Sequence, residues 1–383
     1  LAEKLKILFL ITDLGKGGAE RYLIDLCNEL KRYPFISFKI GILYNYNLFE
    51  KETSDFDIIP LNFETFSFGK KNKNDAYLKL LQDFKPNVIH SHRFLGEFLS
   101  SYYIDKNIKY ICHGHDNMIQ FENFGIKTLT SKQLFIQYLE KLVLILHKYR
   151  KVKTTFIANS KHTFQYFNNT LKSIPNTQVI ALPYGLNLKP FRHELQTKKN
   201  EKIKILNVGS FQAKKNQQFM IEIAMVLKSR NIDFEMNLLG SGDLFEKVKQ
   251  KIFVYGLENE VKLRGIIHNV SEWYKEADIY VHSAYYEPFG LIFIEAMAAQ
   301  LPIVALDGKG NRDLIENGKT GFIIEEQNPE IFANKILEVI EDEKLRRMLI
   351  ENGIEKSKEF DIEVVARKMI ELYSDNKLSA NNL

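Results

Sequence analysis

Short apolar runs alternate with amphipathic stretches along almost the whole chain. Lys4 to Ile11 reads as a strand buried on both faces, and Phe38–Leu43, Ile58–Leu61, Val88–His90, Lys109–Cys112, Thr155–Ala158 and Val179–Leu182 repeat that pattern with helical periods between them. The alternation predicts an α/β fold built on doubly wound, mainly parallel sheets. Phe191 to Lys202 is almost wholly polar and reads as a linker, after which the pattern begins again. Ile203–Val208 is the new strand, Gly209–Asn216 a loop and Gln217–Ser229 a helix. Two similar domains facing across a cleft are therefore expected, with boundaries at 1–190, a linker at 191–202, a second domain at 203–360 and a C-terminal helix and tail at 361–383.

The length of 383 residues exceeds one ordinary core and suits two domains of roughly 150 to 200 residues each. Apolar residues at 45% and charged residues at 26% are globular values, which excludes a disordered chain. The run Ile7–Ile11 is too short to span a bilayer or form a signal core, and no later stretch approaches about twenty apolar residues, so a soluble, cytoplasmic protein is expected. Cys27 and Cys112 are the two thiols, both in apolar contexts, which points to a reducing compartment. Residues 1–190 hold 26 Lys and Arg against 17 Asp and Glu, a net +9, while 191–383 hold 27 against 31, a net −4. A basic first half suits an anionic membrane surface, an acidic acceptor or a plain solvated face, and nothing in it reads as a nucleic-acid module.

Candidate chemistry gathers at Tyr286–Met297, which follows the strand-like run Ala277–His282 and turns into a helical pattern to Ala299. Pro288 fits a helix start and Gly290 permits close backbone approach, so the amides of Phe289, Gly290 and Leu291 are expected to face a ligand above the strand end. The flanking carboxylates Glu287 and Glu295 would repel a diphosphate and instead suit neutral sugar hydroxyls. A nucleotide-sugar site fits both demands. Earlier in the chain, Gly17 and Gly18 open a helix after the first strand without the spacing of a dinucleotide fingerprint or a P-loop. His90 with His92 and His113 with His115 form His-x-His pairs with the spacing to chelate zinc, whereas Asp55-Phe56-Asp57 reads as a surface turn. Lys132–Lys153 has a helical period and a basic end, which suits either packing on the first domain or docking on anionic lipid.

Glu-Pro-Phe-Gly-Leu at 287–291 and Glu-Ala-Met-Ala at 295–298 resemble the Glu-x7-Glu signature of retaining GT-B glycosyltransferases of family 4, glycosyl transferases group 1. Gly17-Gly18-Ala19-Glu20 resembles that family's loop over the donor phosphates, and Ile111-Cys112-His113-Gly114 resembles its strand-end imidazole. The loop Gly209–Asn216 is similar to the family's Gly-Arg-x-x-x-x-Lys-Gly, with Lys215 on the diphosphate-binding lysine, Ser210 in place of the arginine and Asn216 in place of the glycine. Lys214 and Arg312 are candidates for the missing charge. Asn159-Ser160 and Tyr184 to Asn187 echo further stations, with Tyr184 and Asn187 departing from the usual residues.

The resemblance implies a metal-independent hexosyltransferase, without a cofactor, that moves a hexose-type sugar from a nucleoside diphosphate, UDP favoured, and keeps the anomeric configuration. It also implies a final helix crossing back to the first domain. His113, Lys215 and Glu287 are the expected catalytic residues. Gly17, Gly18, Ser210, Lys215, Gly240, Arg264, Glu287, Phe289, Gly290, Leu291 and Glu295 are the expected donor site, with Glu287 on the sugar and Glu295 on the ribose. Expected partners are the donor, a lipid-linked or saccharide acceptor, and an anionic membrane face met peripherally, in bacterial surface-polysaccharide or glycolipid synthesis. Rival readings are a non-catalytic subunit of the same fold, a zinc hydrolase built on the histidine pairs, and an epimerase.

Overall fold

A computed structural model describes residues 4–15, 17–64, 73–123, 125, 128, 131–193 and 201–374. Residues 194–200 of the expected linker lie outside that set. The chain divides into two compact units, Leu1–Leu186 with Ile362–Leu383, and Asn187–Asp361.

The first unit is built on seven strands, β1 (Leu5–Ile11), β2 (Ile36–Ile42), β3 (Ile58–Pro60), β4 (Val88–His92), β5 (Lys109–Gly114), β6 (Thr154–Ala158) and β7 (Thr177–Ala181). They pair in parallel in the order β3-β2-β1-β4-β5-β6-β7. Because helices cover both faces, β1 is apolar and fully buried from Ile7 to Ile11, while β4 and β5 bury the polar residues His90, Ser91, His92 and His113 toward their carboxyl ends. The helix Ile362–Tyr373 belongs to this unit. Its residues Ile362 and Val365 lie against Gly185, where a Cβ would come within 2.9 Å of both side chains.

The second unit carries β8 (Ile203–Val208), β9 (Phe234–Leu239), β10 (Val261–Gly265), β11 (Ile279–His282), β12 (Ile303–Leu306) and β13 (Phe322–Ile324). Their parallel order is β10-β9-β8-β11-β12-β13. Phe219, Ile223, Met236, Val281, Phe332 and Ile336 belong to its core. In each unit the strand order reverses once, between β1 and β4 and between β8 and β11. At such a reversal the two following loops leave in opposite directions and open a crevice at the carboxyl ends of the strands.

The expected Lys132–Lys153 helix is regular over Lys132–Leu144 and then passes into a π-helical turn, Ile145–Tyr149. The turn carries Lys148 inward, where its ammonium bonds Glu97 at 2.6 Å and Ser100 at 2.6 Å. Tyr149 and Ser91 donate to the same carboxylate at 3.0 and 2.6 Å. Among the described residues no helix is long and apolar enough to cross a membrane.

Removing one member of a buried ion pair strands the other charge. Lys148→Met is expected to destabilise the first unit by about 3–5 kcal/mol in urea unfolding, and Glu97→Gln combined with Lys148→Met by less. Equal losses in the two variants would show that the pair acts through packing alone.

Candidate active site

The second unit brings its candidate residues to the crevice between β8 and β11. After β8 the chain runs through Gly209 and Ser210 into a short 3-10 turn, Ala213–Lys215, and Asn216 adopts φ +53 before the helix Gln217–Ser229. After β11 it runs through Ser283 to Gly290 into the helix Leu291–Ala298. The two loops are tied together, since Ser283 Oγ donates to the Lys215 carbonyl at 2.8 Å and the Tyr285 amide to the Lys214 carbonyl at 3.2 Å. Lys215 Nζ bonds Glu287 Oε2 directly.

Glu287 is 8% exposed, and its backbone is clamped by the chain after β12. Its amide donates to the Gly308 carbonyl at 2.8 Å, and the Gly310 amide donates to its carbonyl at 3.1 Å. Burial alone pushes the Glu287 carboxyl up, but the Lys215 ammonium and the His282 imidazole, whose Nε2 lies 3.3 Å from Oε2, outweigh it and hold the group down at about 2. The site is therefore a carboxylate kept ionised inside the protein by one lysine ammonium and one buried ring.

The helix expected to start at Pro288 starts at Leu291 instead. Gly290 holds φ +98, a left-handed conformation that interrupts the helical path, and its missing side chain leaves room for the Phe293 ring, which a Cβ would approach to 2.5 Å. Phe289, Gly290 and Leu291 are buried around this turn. Glu295 lies one turn inside the helix, and the buried Tyr274 hydroxyl donates to its Oε2 at 2.9 Å.

Gly240 ends β9 with φ +128, and a Cβ there would sit 2.0 Å from the Gly209 carbonyl oxygen, so the loops after β8 and β9 are in backbone contact. Ser210 is half-buried, and its carbonyl accepts from Gln217 Nε2 at 2.9 Å. Arg264 turns along the sheet, donating to Asn237 at 2.8 Å and stacking on Trp273 at 4.9 Å. Arg312 is held by Asp307 at 2.9 Å and Glu325 at 2.8 Å, and Lys214 lies 5.8 Å from the Tyr286 ring.

In the first unit Gly17 precedes the helix Gly18–Leu30 in extended conformation. Arg93, with φ +61 at the end of β4, pairs with the buried Glu20 at 2.8 Å. His113 is fully buried among Tyr22, Tyr184 and the other histidines, and burial holds its imidazole down at about 3. One nitrogen from each of His90, His92 and His113 falls within a group spanning 4.8 Å. The rings stack at 4.5 to 5.6 Å with interplanar angles of 10° to 28°. The second His-x-His pair is spoken for differently: His115 bonds His92 at 2.8 Å and also bonds the Tyr184 hydroxyl. Asp55 and Asp57 are surface residues paired with Lys31 and Lys39, each at 2.6 Å.

Sequence reasoning did not single out Arg93, Tyr274, Tyr280 or His282. The histidine was readable as a polar residue closing an apolar strand next to the candidate carboxylate, but the tyrosines read as ordinary strand and helix filling.

Residues 189–356 match the family model described as Glycosyl transferases group 1. An uncharacterized glycosyltransferase of Methanocaldococcus jannaschii is 26% identical over 364 residues, covering 90% of this chain and 97% of that protein. An uncharacterized glycosyltransferase of Haemophilus influenzae is 26% identical over 367 residues, with coverages of 92% and 97%. The solved structure of Anabaena HepE in complex with UDP and glucose matches at TM-score 0.75 and 20% identity, over 97% of this chain and 99% of that one. At that identity the likeness concerns architecture, and the architecture is the GT-B fold.

The lowered Glu287 carboxyl sets a pH dependence. A carboxyl depressed from 4.5 to about 2 adds stability that is complete above 4.5 and is lost as pH falls toward 2. Its size at neutral pH is roughly 3 kcal/mol. Urea unfolding followed by the fluorescence of Trp273, the single tryptophan, should show this loss between about pH 5 and 2, and Glu287→Gln should flatten it. An unchanged acid limb in that variant would place the effect elsewhere.

Proposed function

From the premise that residues 189–356 belong to the glycosyl transferases group 1 family, we propose that the protein is a retaining, metal-independent hexosyltransferase using a nucleoside-diphosphate sugar, UDP-sugar favoured. The observation that carries this reading is the Lys215–Glu287 pair at the β8/β11 crevice, beside the N-terminus of the helix Leu291–Ala298. A diphosphate offers Lys215 a stronger anionic partner, and the helix N-terminus is electrostatically suited to the same charge. Glu287, released by the lysine, is then an acceptor for hydroxyls of the transferred sugar. Glu295, oriented by Tyr274, takes the ribose.

Charge develops on the departing diphosphate, so rate enhancement comes mainly from Lys215 and the amides of Phe289, Gly290 and Leu291, fixed before reaction. Both glutamates are hydroxyl binders in this scheme, and attack by the acceptor occurs on the face from which the diphosphate leaves. Gly17 and Gly18 are assigned to the loop over the donor phosphates and beside the acceptor, His113 to the transferred sugar and the orientation of the acceptor, and Ser210, Gly240 and Arg264 to the donor loops. HepE, which binds UDP and glucose, supports the choice of a UDP-sugar. A lipid-linked or saccharide acceptor in surface-polysaccharide or glycolipid synthesis, reached from the cytoplasmic membrane face, completes the reading. It is supported by the +9 charge of residues 1–190 and by the exposed Phe135, Ile136 and Leu146.

The test is turnover of a panel of nucleotide sugars, UDP-glucose first, with lipid and saccharide acceptors and NMR assignment of the product anomer. Lys215→Ala is expected to lower kcat on the order of 10²-fold, the loss typical of removing one charge-stabilising donor. Glu287→Ala should remove activity while leaving UDP binding by calorimetry largely intact. Inversion at the anomeric carbon, or full activity in Glu287→Ala, would refute the assignment.

A further inference from the structure

His282 is the last residue of β11 and is 1% exposed. Its Nε2 lies 3.3 Å from Glu287 Oε2, and its Nδ1 lies 3.2 Å from the Tyr280 hydroxyl. The ring is fixed on two sides, stacked near Tyr280 at 6.1 Å and met edge-on by Phe293 at 5.0 Å. Tyr280 is itself fully buried, and the Val208 carbonyl, 3.3 Å from its hydroxyl, competes with His282 Nδ1 for its one proton. Lys215 differs in kind, being 16% exposed at the end of a flexible four-carbon stem. Of the two groups beside Glu287, one is built into the strand and the other sits at the end of a long side chain.

We propose that His282 is a positioning residue for Glu287: with Nδ1 engaged by the Tyr280 hydroxyl, its Nε2–H keeps the Glu287 carboxylate at the strand end when Lys215 turns to the donor's diphosphate. This rests on the function proposed above and adds to it the group that permits Lys215 to move. Without such a group, departure of the lysine would leave a buried carboxylate with no compensating partner, which low-dielectric surroundings penalise heavily.

The electrostatics agree. Burial lowers the basicity of His282, Glu287 raises it, and Lys215 lowers it again. Withdrawal of the lysine therefore removes one of the two influences that lower the basicity of the ring.

Two measurements decide the matter. The first needs no donor: protein carrying 15N-histidine, with His282→Gln used to assign the resonance, should show the ring as the Nε2–H tautomer in the wild type and a mixture in Tyr280→Phe. A lone Nδ1–H tautomer would overturn the proposal. The second compares His282→Gln and His282→Leu in UDP and UDP-glucose binding and in turnover. Glutamine keeps an N–H for Glu287, so kcat should stay within about threefold of wild type, whereas leucine should lower kcat at least tenfold with UDP affinity nearly unchanged. Equal losses in both variants, or wild-type kcat in folded His282→Leu, would refute the role. Failure of wild-type protein to bind UDP or UDP-glucose would instead count against the donor reading, and the tautomer would still decide the proposed contact.

Discussion

One buried carboxylate governs the second unit. Glu287 loses hydration at the end of β11, and a group so placed stays charged only if its surroundings return what water supplied. Lys215 arrives at the carboxylate from the loop after β8 and His282 from the strand itself, while Gly308 and Gly310 of the loop after β12 hold the Glu287 backbone. Three strand ends are thereby locked to one residue. The tight passage of Gly209 against Gly240 extends the same lock to β9. The left-handed Gly290 follows from it too, since the chain must leave Glu287 and enter a helix within three residues.

The topology explains why such a residue lies where it does. Both sheets reverse strand order once, and in both units an acidic and a basic side chain meet across the reversal: Glu287 with Lys215, and Glu20 with Arg93. The pairs differ in their setting. Lys215 is mostly covered, while the Arg93 side chain is 44% exposed and its backbone sits at φ +61, a conformation that non-glycine residues adopt under constraint. Burial raises the Glu20 carboxyl despite the pull of Arg93, the reverse of the outcome at Glu287. The same arrangement thus yields a firmly ionised carboxylate in one unit and a less acidic one in the other.

Much of this was legible from the chain alone. Buried parallel strands announce themselves as uninterrupted apolar runs, which is why Ile203–Val208 and Gln217–Ser229 fall where the pattern put them. Lys215 and Glu287 were readable because each belongs to a local motif on a loop. What the pattern misjudged was the helix start, because proline's fixed φ suits a first turn equally well in a helix or in the bend that precedes one, and the decisive φ belongs to Gly290. What it did not reach were contacts made through space. Tyr274 meets Glu295 from another helix 21 positions away, and Lys148 reaches Glu97 through a π-turn that has the same residues as an α-helix. Periodicity ranks such side chains as core, and only the fold shows that their polar ends are paired.

The substitution of Ser210 for the arginine of the resembled motif gains its meaning from the same pair. With serine there, Lys215 is the motif cation that remains, and at rest its charge is already balanced by Glu287. Arg312 is engaged by two carboxylates, so its charge is balanced as well. Under the proposed function, an incoming diphosphate must therefore compete with Glu287 for this lysine. Binding and rearrangement at Glu287 become a single event, because the ammonium cannot serve both anions at contact distance. On that reading the carboxylate's second neighbour, the buried His282 ring, becomes part of the proposed donor site's electrostatics.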